Sequence, residues 1–263
     1  MNAKVVCIVH QKGGVAKTTT ACTLAHALTR AGQKVLLIDL DPQGQDAIFF
    51  GLEPESGAAN FIMTSVDDAR GQRNLEAWVL ESGRENLALI AGNEDTATAQ
   101  IYLYTPRPKP VSYIRGQLRP FMRRFDYILF DTSPSVGGVQ EGAAWAADLV
   151  LIPTATEFAA QVALANTLDL LQVLTREKGW QGQLFGILPT FYDTTTLASR
   201  KAKKSLEESF EPGLILPAIH RATILRECWL TGTTIFEKDP QARPAKEYQV
   251  IANMLMRLGH ARA

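Results

Sequence analysis

The stretch Gln11-Lys12-Gly13-Gly14-Val15-Ala16-Lys17-Thr18-Thr19-Thr20 places two glycines, two lysines and three threonines directly after an apolar run. Glycines at such a junction let backbone N–H groups curl around phosphate oxygens, and the N-terminus of a following helix adds positive potential. Lys17 is spaced to reach β- and γ-phosphates, and the Thr18 hydroxyl to ligate Mg²⁺. The general pattern Gly-x₄-Gly-Lys-[Ser/Thr] is broken at both glycine positions, which hold Gln11 and Ala16. A second lysine, Lys12, stands just before the glycine pair. A methyl group at Ala16 is expected to be tolerated if that residue keeps a negative φ.

Two later segments end apolar runs in carboxylates. Val35–Gly44 reads as a buried strand closing on Asp39 and Asp41, followed by a turn at Pro42 and Gly44. Carboxylates at the carboxyl end of a buried strand stand where open α/β sheets bind ligands. In Tyr127–Gly137 four hydrophobic residues precede Asp131, the pattern that holds Mg²⁺ on a nucleotide through water. Pro134 and Gly137 then mark a turn.

These groups must be positioned by elements that the hydrophobic pattern predicts. Buried strands are expected at Val5–Val9, Val35–Asp39, Leu87–Ile90, Tyr127–Asp131, Leu149–Pro153, Leu184–Leu188 and Leu214–Leu216, all rich in Val, Ile and Leu without polar alternation. Helices are expected at Lys17–Ala31, Val162–Lys178, Leu197–Phe210 and Ala245–Leu258. Alternation of the two implies an α/β fold with a mostly parallel, doubly wound sheet flanked by helices. Three prolines mark Thr105–Pro110 as a loop, with a weaker break at Glu53–Ala59. Neither has the character of a domain boundary, so residues 1–263 are read as one domain.

The 263 residues include 27 basic and 27 acidic side chains. That balance excludes a globally basic coat for nucleic acid and leaves room for a local patch. A hydrophobic share of 46% argues against disorder. Cys7, Cys22 and Cys228 lie far apart, and no two histidines share metal-ligand spacing. Buried thiols in a reducing cytosol are expected, with no disulfide, zinc or iron–sulfur framework. The apolar run within Met1–Gln11 is too short for a signal peptide, and no uncharged apolar stretch approaches the ~18 residues of a membrane helix. A cytoplasmic location is expected.

The run Lys12-Gly13-Gly14-x-x-Lys17-Thr18-Thr19 resembles the deviant Walker A motif of the ParA/MinD family of ATPases. The resemblance implies a P-loop NTPase that uses ATP and Mg²⁺, with Lys12, Gly13, Gly14, Val15, Ala16, Lys17, Thr18 and Thr19 at the nucleotide. It implies that Asp41 polarises the attacking water and that Asp39 supports the Mg²⁺ shell of Thr18 and Asp131. It further implies that Lys12 reaches a partner subunit's nucleotide, so that ATP joins a homodimer. Gly186–Asp193 is similar to the family's segment beside the base. The order Leu216-Pro217, Leu225-Arg226-Glu227, Gly232, Asp239-Pro240 and a final helix also matches, with Pro217 as a base contact.

Members of this family differ in output. Residues 196–226 carry Arg200, Lys201, Lys203, Lys204, Arg221 and Arg226 against Glu207, Glu208 and Glu211. This excess suits sequence-independent, salt-sensitive contact with duplex DNA, with a solvated helix face as the plain alternative. A nucleoid-associated ATPase that positions a plasmid, chromosome or protein assembly is expected, stimulated by a ParB-like or other adaptor. Arg115, Arg119, Arg123 and Arg124 are read as an ordinary helix surface. Leu258–Ala263 lacks the bulky stripe of a MinD-like membrane anchor. The cysteines do not suit a nitrogenase-reductase-like cluster, and Tyr248 alone is not a tyrosine-kinase tail. No helix-turn-helix domain is expected before the first strand. The reading from another class is an ATP-dependent small-molecule ligase, such as a cobyrinate or dethiobiotin synthetase relative.

Overall fold

The computed structural model describes residues 2–67, 69–135 and 137–260, with residues 259 and 260 as backbone only. Val136, in the Tyr127–Gly137 segment, and 261–263, in the tail, lie outside the described residues. Seven strands form one sheet: β1 (Lys4–Ile8), β2 (Val35–Leu40), β3 (Leu80–Arg84), β4 (Leu87–Ile90), β5 (Tyr127–Thr132), β6 (Leu149–Ala155) and β7 (Gln183–Thr190). Their order is β3-β4-β2-β5-β1-β6-β7, parallel throughout except where β3 meets β4. Alternate residues of the central strands enter two cores. Val5, Cys7, Leu36, Ile38, Ile128 and Phe130 face one side; Val6, Ile8, Val35, Leu37 and Leu129 face the other. Apolar packing on both faces explains why these strands read as unbroken hydrophobic runs.

Two strand expectations differ from the structure. Leu214–Leu216 runs beside β7, with Leu216 N–H donating to the Ile187 carbonyl at 2.9 Å, but forms only an isolated bridge at Ile215. Gly213 before it and Pro217 after it, which has no N–H, deny the run a ladder. Conversely, β3 has the polar sequence Leu-Glu-Ser-Gly-Arg. As an edge strand with one partner it needs no continuous apolar run, so its sequence carried no strand signal.

Twelve helices surround the sheet among the described residues. Five lie on the connections from β2 to β5: α2 (Gln45–Phe49), α3 (Gly57–Met63), α4 (Ala69–Glu76), α5 (Asp95–Tyr102) and α6 (Tyr113–Gln117). α1 (Lys17–Arg30) follows β1, α7 (Gly138–Ala146) follows β5, and α8 (Phe158–Lys178) follows β6. Beyond β7 come α9 (Leu197–Ser209), α10 (Thr223–Thr231), α11 (Ile235–Lys238) and α12 (Arg243–His260). The Glu53–Ala59 break ends at α3, whereas Thr105–Pro110 has no helix or strand. α8 is long and apolar enough to cross a membrane by length and composition alone. Its Ala160, Leu164, Thr167, Leu171 and Leu174 are buried, the stripe of a helix that covers a sheet.

Register decides where the chemistry sits. Asp131 on β5 pairs with Ile8 of β1 on one side and with Asp39 of β2 on the other. β1 leads out to β2 across β5, while β6 and β7 lie on its opposite flank. The loop after β1 therefore opens where the winding reverses, the usual crevice for a ligand.

α1 also anchors the far end of the chain. Its Thr20 hydroxyl lies 3.1 Å from the Tyr248 hydroxyl on α12. His26 Nδ1 lies 2.6 Å from Thr234 Oγ1, and Thr234 heads α11 in a capping box with Glu237. Burial pushes the His26 pKa down to about 4, against the pull of Glu237. A depressed histidine contributes stability that is full above its ordinary value of 6.5 and lost as pH falls towards 4. Urea unfolding should therefore show wild type losing roughly 2–3 kcal/mol more than His26→Gln between pH 7 and pH 4. Equal losses in the two proteins would contradict a neutral, buried His26.

Candidate functional site

The loop from Val9 to Lys17 is held from three sides. Its Lys12 N–H donates to His10 Nδ1 at 3.0 Å, and its Gln11 N–H to Thr167 Oγ1 of α8 at 3.2 Å. Thr190, at the end of β7, donates to the Val15 carbonyl at 3.1 Å. His10 is fully buried, and burial together with Lys17 pushes its pKa down to about 4, so the ring stays a neutral acceptor. Lys17 folds back over the loop, its Nζ donating to the Lys12 carbonyl at 3.2 Å. Burial lowers the Lys17 pKa, while Asp131 and Asp41 oppose that shift. A nearly buried ammonium with a single carbonyl partner can take phosphate oxygens in its place.

The backbone corrects one expectation. Ala16 has φ 67° and ψ 35°, in the left-handed region, and not the negative φ under which its methyl group would be tolerated. The turn into α1 imposes that conformation, and Gly14 before it also has positive φ. Glycine reaches this region without penalty; alanine does so at a cost of about 1 kcal/mol.

The carboxylates converge at the sheet edge. Thr18 Oγ1 donates to Asp131 Oδ2 at 2.6 Å, while Asp131 Oδ1 is buried without a partner. Asp39 accepts the Asp41 N–H on one oxygen and the Asp46 N–H on the other, each at 3.0 Å. It braces the turn that carries Asp41, so its oxygens are less free for an Mg²⁺ shell than the sequence suggested. The sequence reading missed Asp46, which is fully buried and accepts the Cys22 thiol at 3.1 Å. Ligand atoms of Asp39, Asp46 and Asp131 lie within 4.8 Å of one another. Burial raises all three pKa values, Asp131 to about 7 and the other two well above the ordinary range, with neighbouring carboxylates adding to the latter shifts. An orphaned, buried Asp131 oxygen beside a threonine hydroxyl fits a divalent cation and its water.

Above these groups lies a cavity of about 710 Å³, lined by Gly13, Gly14, Lys17, Thr18, Asp41 and the turn Ser133–Ser135. That volume suits a nucleotide. A second cavity of about 240 Å³ shares Ala16, Thr19, Phe191 and Trp229 with the first and extends to Ile219, His220, Arg221 and Ala222. Pro217 is exposed and lines neither of these cavities. Hydrogen bonds from Leu216 N–H to the Ile187 carbonyl and from Ile219 N–H to the Pro189 carbonyl, at 2.9 and 2.8 Å, run the chain beside β7 on both sides of Pro217, and it is the residues from Ile219 onward that reach the second cavity.

The six expected DNA-contacting cations separate into two groups. Arg200, Lys201, Lys203 and Lys204 lie on α9, whereas Arg221 and Arg226 line the second cavity. Lys203 pairs with Glu207, and Lys204 with Glu208 at 3.4 Å. Lys203 Nζ also lies 5.5 Å from the Tyr192 ring, whose backbone carbonyl accepts from Arg221, so the groups adjoin. Arg115, Arg119 and Arg124 pair with Asp148, Asp67 and Glu76 at 3.3, 2.6 and 3.2 Å, as an ordinary surface would.

Comparison with known proteins matches this arrangement. Residues 3–180 fit the AAA_31 family, described as an AAA domain. The chromosome-partitioning ATPase Soj of Thermus thermophilus is 31% identical over 97% of this chain and 97% of its own. The structure of a Cyanothece McdA variant in complex with ATP superposes with a TM-score of 0.83 at 24% identity, covering 97% of both chains. Cobyrinic acid a,c-diamide synthase from Mycobacterium smegmatis, with an ATP analogue and magnesium, gives a TM-score of 0.78 at 27% identity over 99% of this chain and 97% of that one. The chain belongs to the ParA/MinD family of P-loop ATPases. It is an ATPase that works with ATP and Mg²⁺.

Replacing Ala16 by glycine should relieve the left-handed alanine and stabilise the nucleotide-free protein by about 1 kcal/mol. Differential scanning calorimetry should show a Tm rise of roughly 2–4 °C. An unchanged or lower Tm would show that the methyl group's contacts outweigh its backbone cost.

Proposed function

We propose that the chain is an ATP-driven dimerising switch of the partitioning kind, which binds duplex DNA without sequence preference and positions a cargo through an adaptor protein. The observation that carries this reading is Lys12. It sits half-buried beside the exposed glycine pair, and its ammonium makes no ion pair among the described residues. Lys12 lines neither cavity, and a cation beside a phosphate loop that points elsewhere can complete a charge-assisted bond to a nucleotide held by a second copy of the chain.

Within each subunit Lys17 and the loop amides bind the phosphates, and Thr18 and Asp131 hold Mg²⁺. Mg²⁺, when bound, screens charge on the β- and γ-phosphates. Asp41 orients the attacking water; its Oδ1 already accepts the Gln43 N–H at 3.0 Å, which aims the carboxylate along the turn. Loss of the γ-phosphate removes the anionic oxygens that Lys12 bridges, and the dimer loosens. Hydrolysis is slow until the adaptor stimulates it, and the protein works in the cytoplasm on the nucleoid. Likeness to a chromosome-partitioning ATPase supports this output. The ligase reading draws on the resemblance to the diamide synthase; it predicts a dependence on a small-molecule acceptor and none on DNA.

Asp41→Ala should stall hydrolysis and trap a dimer with Mg-ATP, whereas Lys17→Ala should abolish nucleotide binding. Light scattering that finds Asp41→Ala monomeric at saturating Mg-ATP would sink the switch.

DNA contact is best tested away from the second cavity, at Arg200 and Lys201, neither of which has an ion-pair partner among the described residues. Reversing both to Glu should weaken binding of the ATP dimer to two unrelated duplexes equally while leaving dimerisation intact. Wild-type log affinity should fall against log salt with a slope of about −0.9 per phosphate neutralised. Unchanged fluorescence anisotropy titrations in the double variant would remove α9 as the DNA surface.

A further inference from the structure

Trp229 of α10 is absorbed by none of the roles above, yet it lines both cavities that adjoin the phosphate loop. Its Nε1–H donates to Thr19 Oγ1 at 3.3 Å. Its ring meets Phe49 of α2 edge to face, with centroids 5.0 Å apart at 89°. The indole is therefore tied at its nitrogen to the first turn of α1 and packed against Phe49 of α2. On the same border Phe191 is held at φ 52°. Left-handed backbone at a bulky residue is costly and persists where the surroundings impose it. The two aromatics frame the passage from the phosphate groove into a smaller pocket walled by Ile219, Ala222 and Leu225.

We propose that Trp229 is the aromatic platform on which the nucleobase stacks, making it the residue that favours a purine over a pyrimidine nucleotide. The inference rests on the nucleotide reading of the loop. A base carried beyond phosphates seated at Gly13–Thr18 has to enter a pocket that adjoins Ala16 and Thr19, and the smaller cavity does so. Planar bases gain from stacking on an aromatic face, and a larger purine gains more than a pyrimidine. Because the indole is already immobilised, little side-chain entropy is lost when the base arrives.

The test compares Trp229→Ala and Trp229→Phe with wild type by isothermal titration calorimetry of ATP, CTP and inorganic tripolyphosphate. Circular dichroism checks the fold of each variant. Tripolyphosphate reads the phosphate loop without a base. Trp229→Ala should weaken ATP binding about 10-fold or more. It should weaken CTP less and leave tripolyphosphate unchanged. Trp229→Phe keeps a ring but loses the bond to Thr19, and should hold most of the ATP affinity. Equal losses for ATP and tripolyphosphate would overturn the proposal, because Trp229 would then only support Thr19 and the loop. Unchanged ATP affinity in Trp229→Ala would overturn it while leaving the nucleotide reading in place. Wild type that bound neither ATP nor tripolyphosphate would overturn both.

Discussion

A 2.6 Å hydrogen bond from the Thr18 hydroxyl to the Asp131 carboxylate joins the first turn of α1 to the end of β5. Most of the site depends on that junction. It sets the phosphate loop over the carboxyl edge of the sheet, beside a carboxylate whose second oxygen has no protein partner. Removing a carboxylate from water is expensive, and the rise of Asp131 to about 7 expresses that cost. A sheet that buries such a group keeps it ready for a cation or a proton. Lys17, buried above the same edge, faces the mirror-image constraint, with Asp131 and Asp41 favouring its charge.

Backbone conformations serve that junction at several points. The loop carries Ala16 in a left-handed conformation, and Phe191 adopts a similar one where the two cavities meet. The turn bearing Asp41 is clamped by main chain: a Cβ on Gly44 would lie 2.4 Å from the Gly92 carbonyl oxygen, and one on Gly92 2.7 Å from the Asp39 carbonyl oxygen. Asp39 adds its two accepted N–H bonds to the same clamp. The turn is thus rigid at its base while Asp41 projects into the cavity. On the opposite wall Pro134 approaches the glycine pair, where a Cβ on Gly13 would lie 3.9 Å from its ring.

The electrostatics of the surface follow a different logic. Most arginines of the 115–124 group are neutralised by carboxylates from other elements, as are two lysines of α9 by glutamates one turn on. Counting charges along the chain overstated the cations free to meet phosphate. Exposed pairs of this kind contribute little to stability and exchange partners readily. On α9 this leaves Arg200 and Lys201 without a carboxylate partner among the described residues, while Arg221 and Arg226 line the second cavity.

The sequence alone determined the elements whose physics is local. Continuous apolar runs required strands buried on both faces, and the glycine pair between β1 and α1 required a tight turn rather than a regular element. Lys17, Thr18, Asp41 and Asp131 were legible because each sits at a fixed offset from such an element. Tertiary structure decided what depends on register and on distant neighbours. Asp46 became part of the carboxylate cluster only because the turn folds it beside Cys22 and Asp39. Trp229 reached the loop from 210 positions away, and the second cavity took Ile219, His220, Arg221 and Ala222 rather than Pro217. The sign of φ at Ala16 belongs to the same class, since a chain reveals which residue occupies a turn but not which way the turn must bend. Periodicity and motif spacing are written within one element; cavities and buried charge arise where several elements meet.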